Sequence, residues 1–243
     1  MAVHAQMSER GQMPTKLSVV VGNVTLAVRA WTAEGPSNCP PVVMLPATGE
    51  SAHDWDIVAS ALSSSRTVFA VNLRGHGASD WPGTYTIRLM ADDITRLLDT
   101  GLDQGPVDLV GHSLGGLVAC QVAAARPELV RRLVLEDIGL LQPRLTVPPS
   151  KPPGVLTFDW EVVEQVRPEI DNFDPSWSGV VASIAAPTLV VAGGARSHVP
   201  QKAIADLVSV VPDGRMVAID AGHLVHAREP AAFVSHLVSF LDA

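Results

Sequence analysis

Apolar and polar positions follow two periods along this chain. Short, mostly apolar runs at Val42–Leu45, Thr67–Leu73, Val107–Val110, Leu133–Leu135, Thr188–Ala192 and Met216–Ile219 read as strands, and Val42–Leu45 and Thr67–Leu73 have the composition of strands buried on both faces. Between them lie stretches of helical period. One carries Trp55, Ile57, Val58, Ala61 and Leu62, and Thr86–Leu98 places Ile87, Met90, Ile94, Leu97 and Leu98 on one side. Leu117–Ala125, Gln201–Val210 and Glu229–Leu241 complete the set. Ahead of them, Leu17–Val21 and Val24–Ala30 are β-rich runs split by Gly22-Asn23, the signature of a hairpin. Strands that alternate with helices predict an α/β fold, a mostly parallel sheet with helices on both faces and the hairpin along one edge.

The alternation breaks between Gly139 and Ala186. Prolines at 143, 148, 149, 152 and 153 make the first part extended, and two short helical candidates follow near Trp160–Val166 and Trp177–Ile184. The expected organisation is a mobile tail over residues 1–16, a core built from 17–138 and 184–243, and an insertion over 139–183. With 47% hydrophobic residues the chain of 243 can bury a substantial core, and 17% charged residues set it apart from a disordered acidic chain. A net charge of −8 without a basic patch argues against nucleic acid or an anionic membrane as partner. Cys39 and Cys120 form no disulfide framework, no apolar run reaches membrane-spanning length, and the first residues lack the apolar centre of a signal peptide. A cytoplasmic protein is expected.

Chemistry concentrates at Gly111-His112-Ser113-Leu114-Gly115-Gly116. This G-x-S-x-G stretch follows a predicted strand and opens a predicted helix, the context that gives the motif meaning. Glycine at 111 and 115 permits a turn sharp enough to hold the Ser113 hydroxyl clear of the backbone, above a helix N-terminus that favours negative charge. A serine hydroxyl needs an adjacent base. Among eight histidines, His223 is favoured, because Asp220-Ala221-Gly222-His223 follows the last strand, and in open parallel sheets ligands bind beyond the carboxyl ends of strands. His226 is the fallback. The base needs a carboxylate on its other nitrogen, in the chain order serine, acid, histidine. The loop after Thr188–Ala192, Gly193 to Pro200, contains none. Leu133–Leu135 ends in Glu136-Asp137, which point to opposite faces; Asp137 is favoured, with Glu136 as the alternative acid. Backbone N–H groups of Leu114 and of Thr48, in Pro46-Ala47-Thr48-Gly49, are the expected oxyanion donors. Neither metal-ligand spacing nor a phosphate-binding glycine loop occurs, so no cofactor and no metal is implied.

From Leu17 onward these residues resemble the α/β-hydrolase superfamily. The resemblance rests on Gly111–Gly116, Asn72-Leu73-Arg74-Gly75-His76-Gly77-Ala78-Ser79, Ala221-Gly222-His223, Ala186–Val191 and Arg228-Glu229-Pro230. It implies an eight-stranded, mostly parallel sheet and a small lid inserted after the sixth strand, here Gly139 to about Ser183. Pro46-Ala47 stand where the family usually has His-Gly, and the usual acid position after the seventh strand falls near Arg196. That moves the acid to the end of the sixth strand, as in dehalogenase-like relatives, where Asp137 is the matching residue. Serine at 113 argues against dehalogenase or epoxide-hydrolase chemistry, which uses Asp as nucleophile. Phe158, Trp160, Phe173 and Trp177 of the lid, with Trp81, are candidates to line a substrate pocket. The function implied is a serine hydrolase acting on a small carboxylic ester, thioester or lactone through an acyl-enzyme. A small-molecule binding or receptor-like protein of the same fold, and a carbon–carbon bond hydrolase, are the alternatives.

Overall fold

A computed structural model describes residues 12–102, 105–143, 147–172 and 174–243. Eight strands form one sheet in the order β1-β2-β4-β3-β5-β6-β7-β8. The hairpin β1 (Thr15–Val21) and β2 (Val24–Trp31) turns at Gly22-Asn23, and β2 runs antiparallel to β4 (Val68–Val71). All other pairings, through β3 (Val42–Leu45), β5 (Val107–His112), β6 (Val130–Glu136), β7 (Thr188–Ala192) and β8 (Gly214–Ala218), are parallel. The first strand therefore begins at Thr15, inside the stretch expected to be a tail; residues 1–11 lie outside the described part.

Period-two alternation on buried strands makes two cores, one on each face. Val43, Leu45, Leu109, Leu133, Leu135 and Val190 face one, with α2 (Ile87–Arg96), α3 (Leu114–Ala125) and α6 (Gln201–Val210) packed over them. Val42, Met44, Val110, Val134, Leu189 and Val191 face the other, under α1 (Asp56–Leu62) and α8 (Pro230–Leu241). Of these, α3 is apolar around nearly its whole circumference, as a helix enclosed by its neighbours must be. Among the described residues, no helix is long and apolar enough to cross a membrane.

Between β6 and β7 the chain carries α4 (Glu161–Asp171) and α5 (Trp177–Ala182). Pro168 lies inside α4, which runs one turn and more beyond the Val166 end expected from the sequence. The segment ahead of α4 is fastened to the glycine-rich loop after β4. Gly77 N–H donates to the Thr157 carbonyl at 2.8 Å, Asp159 N–H to the Gly75 carbonyl at 2.8 Å, and the Tyr85 hydroxyl to Asp159 at 2.6 Å. The imidazole of His76, wholly buried, stacks on Phe158 at 5.7 Å between ring centres. The glycine-rich loop thus serves as a seat for the inserted segment.

Candidate active site

The turn from β5 into α3 places Ser113 at φ 50°, ψ −114°, an unfavourable region for a non-glycine residue. Three neighbours hold it there. Ser113 N–H donates to the Glu136 carbonyl at 3.2 Å, Gly115 N–H donates to the Pro46 carbonyl at 3.1 Å, and the backbones close up where side chains are missing. A Cβ at Gly111 would overlap the carbonyl oxygen of Gly115, and one at Gly115 would overlap that of Leu45. Both clashes are with backbone, which cannot swing away. Gly111→Ala is expected to lower the unfolding free energy by roughly 3 kcal/mol or more, measured as a lowered urea midpoint at unchanged m-value.

Leu114 is the first residue of α3, so its N–H has no acceptor within the helix. Thr48 follows β3 and lines the cavity that also exposes Ser113. The Pro46-Ala47 variation leaves this loop ordered: Glu50 N–H closes it onto the Ala47 carbonyl at 3.2 Å.

His223 lies in the loop between β8 and α7 (Val225–Arg228), a one-turn helix that the sequence pattern did not show. Its Nδ1 is 2.7 Å from Asp137 Oδ2. Asp137 is fully buried, with Oδ1 accepting from Gly193 N–H at 2.7 Å and Oδ2 accepting also from the Ser197 hydroxyl. Burial alone would raise the pKa of this carboxyl. The His223 contact and the Ser197 and Gly193 donors outweigh it, so the pKa lies below the ordinary aspartate value. Asp137 itself sits at φ 47°, turning the chain at the end of β6 so that its side chain meets the β7 loop. The loop after β7 supplies no acid, but it supplies the donors that hold one.

Glu136 points the other way. It accepts from the backbone N–H of His226 at 2.9 Å and lies 2.7 Å from His226 Nδ1. His226 is buried, stacked on Trp55 at 4.2 Å, and does not line the cavity. The structure thus brings His223 together with Asp137 and pairs the two alternates with each other. His198 does line the cavity, its ring centre 4.2 Å from that of His223.

The cavity has a volume of about 680 Å³. Ser113 and His223 open onto it with Asp137 behind them in its wall, and Leu140, Val162, Val166 and Ala203 make much of its apolar side. Phe158 and Trp160 line it as expected. Trp81 and Trp177 do not. The Trp81 indole is 46% exposed and donates to the Gly77 carbonyl at 3.3 Å, and Trp177 is packed into the core by α5. An aromatic at helical spacing went to packing rather than to substrate. Phe173 lies outside the described residues.

Sequence spacing showed no cluster of metal-ligand type, yet among the described residues the fold brings such a group together in space. His112, Glu136 and His226 come from the ends of β5 and β6 and from α7, all buried, with one ligand-type atom of each within 4.8 Å of the others. His112 Nδ1 is spent on Glu50 Oε2 at 3.0 Å and His226 Nδ1 on Glu136, so these residues are arranged as hydrogen-bonded acid–histidine pairs. Burial opposes charge on His112, but Glu136 nearby and the hydrogen bond to Glu50 prevail and push its pKa up to about 9. Glu50 and Glu136 are both held below the ordinary glutamate value: burial opposes this, and His112 with His226 outweighs it. Glu50 was not among the residues singled out from the sequence. Only its place three residues beyond Ala47, in the loop that carries Thr48, was a clue.

A sequence profile for the alpha/beta hydrolase fold matches residues 40–169, just over half of the chain. The chain belongs to that family. Over 135 residues it is 40% identical to an esterase of Mycobacterium tuberculosis, covering 55% of this chain and 42% of that protein. Over 146 residues it is 33% identical to a pimeloyl-[acyl-carrier protein] methyl ester esterase of Citrobacter koseri, covering 59% of this chain and 54% of the other. An sn-1-specific diacylglycerol lipase of Danio rerio is 25% identical over 266 residues, covering 86% of this chain and 80% of the lipase. The match to an uncharacterised Mycobacterium tuberculosis protein, at 40% identity over 101 residues, spans only 29% of that protein's length. Among solved structures, an enol-lactonase from Burkholderia xenovorans superimposes with a TM-score of 0.80 at 22% identity, covering 93% of this chain and all of the other. That likeness concerns the fold.

Proposed function

We propose that this protein is a serine hydrolase of carboxylic esters, with Ser113 as nucleophile, His223 as general base and acid, and Asp137 as the carboxylate that orients His223. The observation that carries this reading is the bond of 2.7 Å between His223 Nδ1 and a buried Asp137 in the wall of the cavity onto which Ser113 opens. With Nδ1 committed to Asp137, Nε2 is the nitrogen left to take the Ser113 proton as Oγ attacks the ester carbonyl. Charge developing on the carbonyl oxygen is met by the N–H groups of Leu114 and Thr48. Collapse of the tetrahedral species breaks the C–O bond, and His223 returns the proton to the departing alcohol. A water activated by the same imidazole then cleaves the acyl-enzyme and restores Ser113. Thioesters and lactones place the same carbonyl before the same groups. The esterase and lipase relatives support the class of reaction. The receptor-like alternative rests on the lack of an acid at the usual position after β7 and on Pro46-Ala47 in place of His-Gly; against it, Asp137 at the end of β6 is available as the acid.

The mostly apolar wall favours an acyl chain over a polar group. Each methylene buried there contributes up to about 0.8 kcal/mol, or roughly fourfold in kcat/KM. Across p-nitrophenyl esters from acetate to hexanoate, kcat/KM is expected to rise by about 10- to 100-fold. A flat or falling series would remove the acyl-pocket assignment. Ser113 is expected to react rapidly with a fluorophosphonate, identified by peptide mass. A wild-type protein that stays unlabelled would overturn the hydrolase reading itself.

A further inference from the structure

Behind the paired His223 and Asp137 lies a second layer of ionisable groups for which the mechanism above has no use. The His112 ring packs against that of His223 with centres 4.6 Å apart, and against that of His226 at 5.3 Å. Glu50 is 3.0 Å from its Nδ1, a Glu136 carboxylate oxygen lies within 4.8 Å of a ring nitrogen, and its Nε2 is buried without a hydrogen-bond partner among the described residues. Three carboxylates, Glu50, Glu136 and Asp137, therefore converge on the region around His223. Two of them, Glu136 and Asp137, have no exposed surface. Buried carboxylates stay ionised only where cations or donors offset them.

We infer that His112 acts as a fixed imidazolium, a positioning residue hydrogen-bonded to Glu50 and close to Glu136, whose charge offsets theirs beside His223. This rests on the hydrolase reading given above. The raised pKa of His112 and the lowered ones of Glu50 and Glu136 agree with it. The sign follows from Coulomb's law. With the cation removed, the two glutamates stabilise a protonated His223, and a protonated His223 is no base. The other charged groups around the two rings are accounted for. His198 packs on His223, Arg228 donates to the Ala221 carbonyl at 3.0 Å, and Arg196 pairs with Asp220 at 3.3 Å on the adjoining loops. Arg167, on the cavity wall, is paired with Asp171 at 2.8 Å. None of these is altered in the test.

The test compares pH profiles of kcat/KM for an activated ester. His112→Gln keeps an amide donor for Glu50 and removes the charge. Its acid limb is expected to move up by about one pH unit, so that activity on the limb falls about tenfold relative to the alkaline plateau. Adding Glu50→Gln to that variant is expected to bring the limb back down, although each substitution also lowers the plateau. A role in packing alone would lower the whole profile without moving the limb. An unmoved limb in His112→Gln overturns the inference. Should that variant fail to fold, the wild-type protein labelled with nitrogen-15 in its histidines decides by NMR. Both ring nitrogens of His112 protonated at pH 7.5 is the expected result, and one bare nitrogen at pH 7 overturns it. Fluorophosphonate labelling of the same sample separates the two failures. Without labelling at Ser113 the hydrolase reading falls, whatever the state of His112.

Discussion

Ser113→Ala is expected to lower kcat for p-nitrophenyl butyrate by at least about 10³-fold, leaving only what the oxyanion donors and the cavity supply without a nucleophile. The comparison is clean for a structural reason. Alanine keeps the Cβ that serine already carries at φ 50°, so the strain of the turn and the bonds from Ser113 N–H and Gly115 N–H are unchanged. The melting temperature should therefore match the wild type within a degree or two, and the loss should appear in kcat with substrate binding retained. Turnover in Ser113→Ala within about tenfold of wild type would mean that the reaction runs elsewhere.

The second large effect concerns the acid. Asp137→Asn is expected to reduce kcat by about 10³- to 10⁴-fold, measured with the same ester across the alkaline plateau. Asparagine tolerates the positive φ at this position, so the turn after β6 survives. Its amide has one acceptor oxygen where the carboxylate has two. Gly193 N–H and the Ser197 hydroxyl compete for that oxygen, and the NH₂ is left facing His223 Nδ1. A donor there forces the imidazole proton onto Nε2, the nitrogen that must be bare to accept from Ser113. Retention of more than a tenth of the wild-type rate would remove Asp137 from the role proposed for it.

Much of this fold was legible because strands and helices here follow the periods of their burial. The apolar runs of the inner strands needed little beyond their length, whereas Met216–Ile219 became the edge strand β8 with Met216 exposed; the glycines at 111 and 115 marked the sharp turn because a backbone packed that closely admits no side chain. The choice between Glu136 and Asp137 was half legible. Alternation showed that the two would diverge, but which one faced the cavity depended on a positive-φ turn that a non-glycine residue does not announce. Trp81 and Trp177 were misleading for a related reason. An aromatic side chain reads the same in sequence whether it meets substrate, solvent or core. The layer of His112, Glu50 and Glu136 was the least legible. Its members come from the ends of three different strands, and nothing in their local pattern ties them together.

The sharp turn at Ser113 has a consequence for how the protein comes into being. The turn is held by the Pro46 carbonyl, which accepts from Gly115 N–H just beyond β3, and by the Glu136 carbonyl at the end of β6, which accepts from Ser113 N–H; β3 and β6 are the two strands that flank β5. None of these partners is a neighbour in sequence, so the closure entropy of long loops must be met before the turn can form. His223 arrives later still, from the loop that follows the edge strand β8. With the roles proposed above, a nascent chain already holding Ser113 and Asp137 is still without the imidazole that would activate the serine, so reactivity at Ser113 waits until the segment carrying His223 has emerged and docked.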